Sequence, residues 1–188
     1  MVPLPPVEER PLRAVGAKRK RPGSPSTPTI VRTLRELAKE APTLVALFDA
    51  RAIAGERHLL SAWAHLGRAR SRGETRLRDR GAEFALYVAG DDQLPRALSK
   101  VGVSDDTEQF VLVAERPQDP ATLLERFELE SDPSAYPRAV DATVLDRLGI
   151  ERAERSAVPS SAWEGLVLER VALLELSAPA SRPSTAKP

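Results

Sequence analysis

Apolar and polar positions follow two periods along this chain. From Ile30, apolar side chains recur at Leu34, Leu37 and Ala41, the three-and-four spacing of one helix face, and Thr29 stands where a cap belongs. A helix is therefore expected over 30–41, ended by Pro42. The next run, 43–51, is apolar and β-branched, which predicts a buried strand. Leu59, Leu60, Trp63 and Leu66 stripe the longest helix, 56–71, which follows Gly55. Gly67 weakens its last turns and Gly73 closes it. Residues 74–80 read as a loop or a short turn of helix. A helix over 81–90 carries Phe84, Leu86, Tyr87 and Val88 and stops at Gly90. Asp91 or Asp92 then caps a short helix at 93–102, with Pro95 in its first turn.

EQFVLVAE (108–115) predicts a second strand, and 117–129 a loop leading into a helix. Residues 130–137 read as a turn, and 141–149 as a helix capped by Asp141 and stopped by Gly149. The stretch 156–176 opens with a helix capped by Ser160 or Ser161 and closes with RVALLEL (170–176), an apolar run read as a strand. Residues 10–18 can form an edge strand. Three or four strands among six or seven helices predict an α/β (α+β) fold, a small, mainly antiparallel sheet packed against several helices and covered mainly on one side. The expected organisation is a basic, Pro-rich and largely flexible segment at 1–28, one globular domain at 29–177, and a disordered tail at 178–188.

Composition narrows the function classes. The chain has 188 residues and no cysteine, which removes disulfides and thiolate metal sites. No apolar run is long enough to span a bilayer, and MVPLPPVEERPLR lacks a signal-peptide core, so a cytoplasmic location is expected. The net charge of +1 conceals an asymmetry: residues 1–80 carry 17 Lys+Arg against 8 Asp+Glu, and residues 81–188 carry 11 against 19. Such polarity suits an anion at one half and a basic partner at the other.

Catalytic signatures are missing: there is no Walker A loop, no G-x-G-x-x-G, no G-x-S-x-G and no H-E-x-x-H. His58 and His65 are the two histidines, and two helical turns hold them about 10.5 Å apart, too far to share a metal. Both read as surface or half-buried side chains, and an enzyme would need His58 beside carboxylates at a cleft. Asp91 and Asp92 read as helix-capping residues, and Glu164 and Glu169 as helix-surface charges. Neither enzyme activity, nor a metal, nor a cofactor is expected. Eight arginines between Arg51 and Arg80 form the one chemical signal that stands out. A guanidinium donates two parallel hydrogen bonds to phosphate. Glu56, Glu74 and Asp79 are interleaved, so a solvated surface remains the plain alternative.

Three segments in order resemble one family. They are FDARAIAGERHLLSAWAHLGRA (48–69), EFALYVAGDDQLPRALSKVGV (83–103) and LVLERVALLEL (166–176). Over about 43–177, with RPLRAVGAK as a match for a first strand, the chain is similar to the small kinase-binding subunit of the KEOPS complex, the PRPK-binding-protein type. The resemblance implies a non-catalytic subunit that binds the N-lobe of the complex's small atypical kinase. It also implies help in recruiting tRNA through the single-stranded 3′ CCA end, for N6-threonylcarbamoyladenosine formation at tRNA position 37 by another subunit. On that reading Arg57, Arg68, Arg70, Arg72, Arg76 and Arg78 are the candidate tRNA contacts. Leu166, Leu168, Val171, Leu173 and Leu174 are the candidate kinase contacts. A general RNA- or DNA-binding module is the alternative. One departure matters: where the family often has Gly-x-Arg-Gln-Ile, this chain has Gly90-Asp91-Asp92-Gln93-Leu94, with an acid in place of the usual base.

Overall fold

The computed structural model describes residues 12–41, 43–137 and 139–177. The N-terminal residues up to 11, Pro42, Arg138 and the tail at 178–188 lie outside the described residues, as do the expectations placed on them. The elements in chain order are β1 (Leu12–Arg19), α1 (Thr27–Glu40), β2 (Val45–Asp49), α2 (Glu56–Ser71), α3 (Arg80–Ala89), α4 (Leu94–Val101), β3 (Gln109–Glu115), α5 (Pro120–Arg126), β4 (Leu129–Ser131), α6 (Ala142–Arg147), α7 (Arg152–Ser156) and α8 (Trp163–Leu176). The four strands form one antiparallel sheet in the order β2-β3-β1-β4. The α+β architecture expected from the hydrophobic pattern is the one observed.

β3 lies inside the sheet, and Phe110, Val111, Leu112, Val113 and Ala114 are all fully buried. Such an uninterrupted apolar strand needs cover on both faces. Alternate residues supply it. Phe48, Val111 and Val113 face a large layer built from α2, α3, α4, α6 and α8. Leu47, Phe110, Leu112 and Ala114 face a smaller layer built from α1 and α5. The expectation of cover mainly on one side captures the larger layer and misses the second.

Several elements differ from expectation. β1, expected as an edge strand, lies inside the sheet and pairs with both β3 and β4. RVALLEL continues the α8 helix instead of forming a closing strand. A short apolar run cannot distinguish a strand from a buried helix segment, and here Val171 and Leu174 pack inward as helix residues. β4 is only three residues and pairs with the end of β1, so it has no periodicity to read. α7, five residues stabilised by a capping box between Glu151 and Glu154, was likewise not anticipated. At α1 the N-cap position is Ser26 rather than Thr29, and Asp105 from a distant turn accepts the Thr27 N–H at 2.8 Å.

Two glycines carry the topology. A Cβ on Gly16 would stand 2.3 Å from the Asp132 carbonyl oxygen, so only glycine lets the segment after β4 fold back over β1. Gly90 ends α3 in the left-handed conformation (φ 58°), and the next N–H, of Asp91, reaches the Leu86 carbonyl at 3.1 Å.

Candidate functional site

The arginine-rich segment begins on α2 and turns into α3. Gly73 at φ 74° ends α2, and Asp79 caps α3 by accepting the Ala82 N–H at 2.7 Å. Between these ends the loop is tied down by Glu83 of α3, which is fully buried. Its carboxylate accepts Arg70 Nε at 2.7 Å and the Arg76 N–H at 2.6 Å. A buried carboxylate needs such partners, since an unpaired one would be far too costly to desolvate. Arg70 also donates to the Leu77 carbonyl, and Arg76 to the Leu174 carbonyl of α8 at 3.1 Å.

A second hub lies where α2 meets α8. Glu175 receives Arg68 at 3.1 Å, Arg72 at 2.7 Å and His65 Nδ1 in a short contact. Burial pushes the Glu175 carboxyl up, but Arg68, Arg72 and His65 outweigh it and hold it down to about 2. Arg72 also bonds Glu74 at 2.8 Å, and Glu74 and Glu175 raise the Arg72 pKa. Arg57 pairs with Glu164 at 3.7 Å. Five of the six candidate arginines thus have acidic or carbonyl partners within the chain. Arg78 differs: it is exposed and has no hydrogen bond or ion pair among the described residues. Interleaved Glu74 and Asp79 were visible in the sequence, but Glu83 and Glu175 come together with the arginines only through the fold.

The departure from the usual base has a structural sequel. Asp91 is nearly buried and binds Lys100 at 3.1 Å, Arg96 at 3.0 Å and the Gln93 N–H at 3.0 Å. Burial raises its pKa, but these donors more than offset that and leave it lowered. Asp92 takes the other end of Arg96 at 3.0 Å. Nearby, fully buried Asp49 binds Arg51 at 2.7 Å and Arg147 at 3.4 Å. The cations of this corner are matched by acids of the same corner. His58 is fully buried, with Nδ1 accepting the Ala54 N–H at 3.2 Å and Nε2 2.8 Å from the Val88 carbonyl. No carboxylate is among its hydrogen-bond partners, so it fastens the start of α2 to the end of α3. The reading of a surface or half-buried His58 is corrected by this contact.

α8 intersperses its apolar residues with Glu164, Glu169, Arg170 and Glu175. Val167, Val171 and Leu174 are buried, while Leu173 is 50% and Leu176 81% exposed. Leu166 and Leu168 are half-buried. Of the five candidate kinase contacts, Val171 and Leu174 therefore sit in the core, and Leu173 faces outward. Leu176, left out of that set, is the most exposed large apolar side chain among the described residues.

A family model described as kinase binding protein CGI-121 matches residues 27–135. The chain belongs to this family. The match covers more than half of the chain, from the start of α1 to beyond β4, and α6, α7 and α8 lie past it. A search of curated proteins finds no match. Membership of the CGI-121 family makes kinase binding the coarse function that the geometry has to serve. Among the described residues no helix is long and apolar enough to cross a membrane, and no group of three His, Cys, Asp or Glu side chains could hold a metal.

Proposed function

We propose that this protein is a non-catalytic KEOPS-type subunit that docks on the complex's small atypical kinase through the outward side of α8. The observation that carries the reading is the pair Leu173 and Leu176, exposed on a helix whose other side already fills the core. Large apolar side chains left exposed together on a packed helix mark an interaction surface, so the open side of α8 fits a protein partner. Leu166 and Leu168 border that surface, while Val171 and Leu174 support it from inside. The kinase-binding description of the family points the same way.

The second part of the proposal is recruitment of tRNA by its 3′ CCA end, in the cytoplasm, for threonylcarbamoyladenosine formation. It draws on the sequence resemblance and on the α2–α8 hub. Arg68 and Arg72 keep 51% and 44% of their side-chain surface exposed while bound to Glu175. An ion-paired guanidinium retains N–H donors that can reach a phosphate. Arg57, Arg70 and Arg76 are more enclosed and serve mainly to hold the surface in shape.

The test combines the purified chain, its cognate kinase and tRNA. A stable one-to-one complex with the kinase is expected, and tRNA lacking CCA should bind more weakly than intact tRNA. Charge reversal at Arg68 and Arg72 should lower affinity and flatten its salt dependence. Equal binding of the two tRNAs would refute tail recognition. A steep salt dependence that ignores the CCA end would favour a general nucleic-acid module instead.

A further inference from the structure

A concavity lies away from α8, along the β2 edge of the sheet. It encloses about 710 Å³ between α1, β2 and the start of α3. Its walls are mainly apolar, with Val31, Leu34 and Ala38 on one side and Ala82 and Ala85 on the other. β2 forms the floor, and β2 is an outer strand of the sheet, paired among the described residues only with β3.

Strand register shows what that floor offers. The Glu115 N–H donates to the Leu44 carbonyl at 2.8 Å and the Leu44 N–H to the Glu115 carboxylate at 3.0 Å, so the backbone groups of Leu44 face β3. Antiparallel pairs alternate, so Ala46 and Phe48 also bond β3, while Val45 and Leu47 turn their N–H and C=O outward. Gly81 closes over the Val45 carbonyl, where an added Cβ would lie 2.5 Å away. By the same alternation the Leu47 N–H and C=O point away from β3, Leu47 lines the groove with 5% of its surface exposed, and among the described residues no backbone bond outside the strands engages them. Outward backbone groups of an outer strand that lack a backbone partner are a template for a further strand.

The rim selects the charge of the occupant. Arg35 of α1 and Arg78 before α3 line the groove, both exposed and both without a hydrogen bond or ion pair among the described residues. The one acid in the lining, Asp79, is committed to capping α3. Exposed Leu98 of α4 adds an apolar contact at the lining. Phe48 is the one aromatic side chain in the lining and is buried at 2% exposure, so there is no platform on which a base could stack.

We propose that this groove binds a short, extended, acidic segment of a partner protein, which pairs with the Leu47 backbone and places its carboxylates on Arg35 and Arg78. The site is separate from the α8 surface, since no α8 residue lines it. It also assigns Arg78 to a peptide rather than to tRNA.

The probe is a peptide alternating valine and glutamate, with a valine–lysine peptide and a single-stranded RNA of equal length as controls, added to the full chain. Amide hydrogen exchange is read at Leu47 and affinity by fluorescence anisotropy. The acidic peptide at millimolar concentration should slow Leu47 exchange, and the two controls should not. The double variant Arg35→Glu/Arg78→Glu should weaken the acidic peptide about tenfold or more without shifting the unfolding midpoint. The kinase and tRNA affinities of that variant should stay unchanged, which separates this site from the function proposed above. Unchanged Leu47 exchange at saturating peptide, equal binding of the lysine peptide, or an unaffected double variant would each overturn the proposal. Protection of Leu47 by the RNA together with loss of tRNA affinity in the double variant would overturn it in favour of a phosphate-binding groove.

Discussion

Protonating His58 should loosen the fold on mild acidification. Nε2 sits against the Val88 carbonyl and Nδ1 against the Ala54 N–H, so Nε2 carries the proton and Nδ1 accepts. A second proton on Nδ1 would face an N–H donor inside a dry core. Burial is the main cause of a pKa lowered from 6.5 to about 4, with the Val88 bond opposing it weakly. The unfolded chain takes up this proton near pH 6.5 and the folded chain only near 4. Stability from this group is therefore complete above about 6.5 and is lost as pH falls toward 4. The shift corresponds to about 3 kcal/mol in full, of which about 2 kcal/mol is lost between pH 7 and pH 5. Urea unfolding at both pH values measures it, with His58→Gln as reference, because the glutamine amide can donate to Val88 but does not titrate. The reference variant should lose some stability at both pH values. The wild type should show the larger drop between them, by about 2 kcal/mol. Equal drops in the two proteins would refute the buried neutral histidine.

Other substitutions test the same framework. Glu83→Ala strands Arg70 and the Arg76 N–H, and should cost about 3–5 kcal/mol in urea unfolding. A loss below about 1 kcal/mol would mean that the buried carboxylate does not hold the loop. Gly16→Ala and Gly67→Ala should move the melting temperature in opposite directions. The first forces a Cβ to 2.3 Å from the Asp132 oxygen, whereas the second meets nothing within 4 Å on the exposed side of α2. The expected changes are about 1–3 kcal/mol of destabilisation and about 1 kcal/mol of stabilisation. Matching shifts for the two would contradict the close approach at Gly16.

The sheet and most helices were readable because their signals are local. The run from Phe110 to Ala114 declares a strand, though not its cover on both faces, and Gly90 marks the end of α3. β4 was not readable, because its three residues gain their identity only by pairing with Ala17, Lys18 and Arg19. RVALLEL misled because apolar residues on both sides of a helix mimic a strand. The same feature, placed on α8, supplies the exposed Leu173 and Leu176. The arginine run was legible as charge but not as geometry. Spacing showed Arg68 and Arg72 on one face, while their acceptor Glu175 lies more than a hundred positions away. Arg78 escapes that pairing, and Arg35 joins it at the groove only because α1 and the start of α3 flank the same sheet edge.

The central claim is that a CGI-121 family protein engages its kinase through the open side of α8. Calorimetric titration of the cognate kinase into the wild type and into Leu173→Glu/Leu176→Glu tests it directly, with urea unfolding of both proteins as the control. Both positions are at least half exposed, so the variant should keep its stability while its affinity for the kinase falls by about a hundredfold or more. A variant that folds normally and binds the kinase as tightly as the wild type would contradict the account.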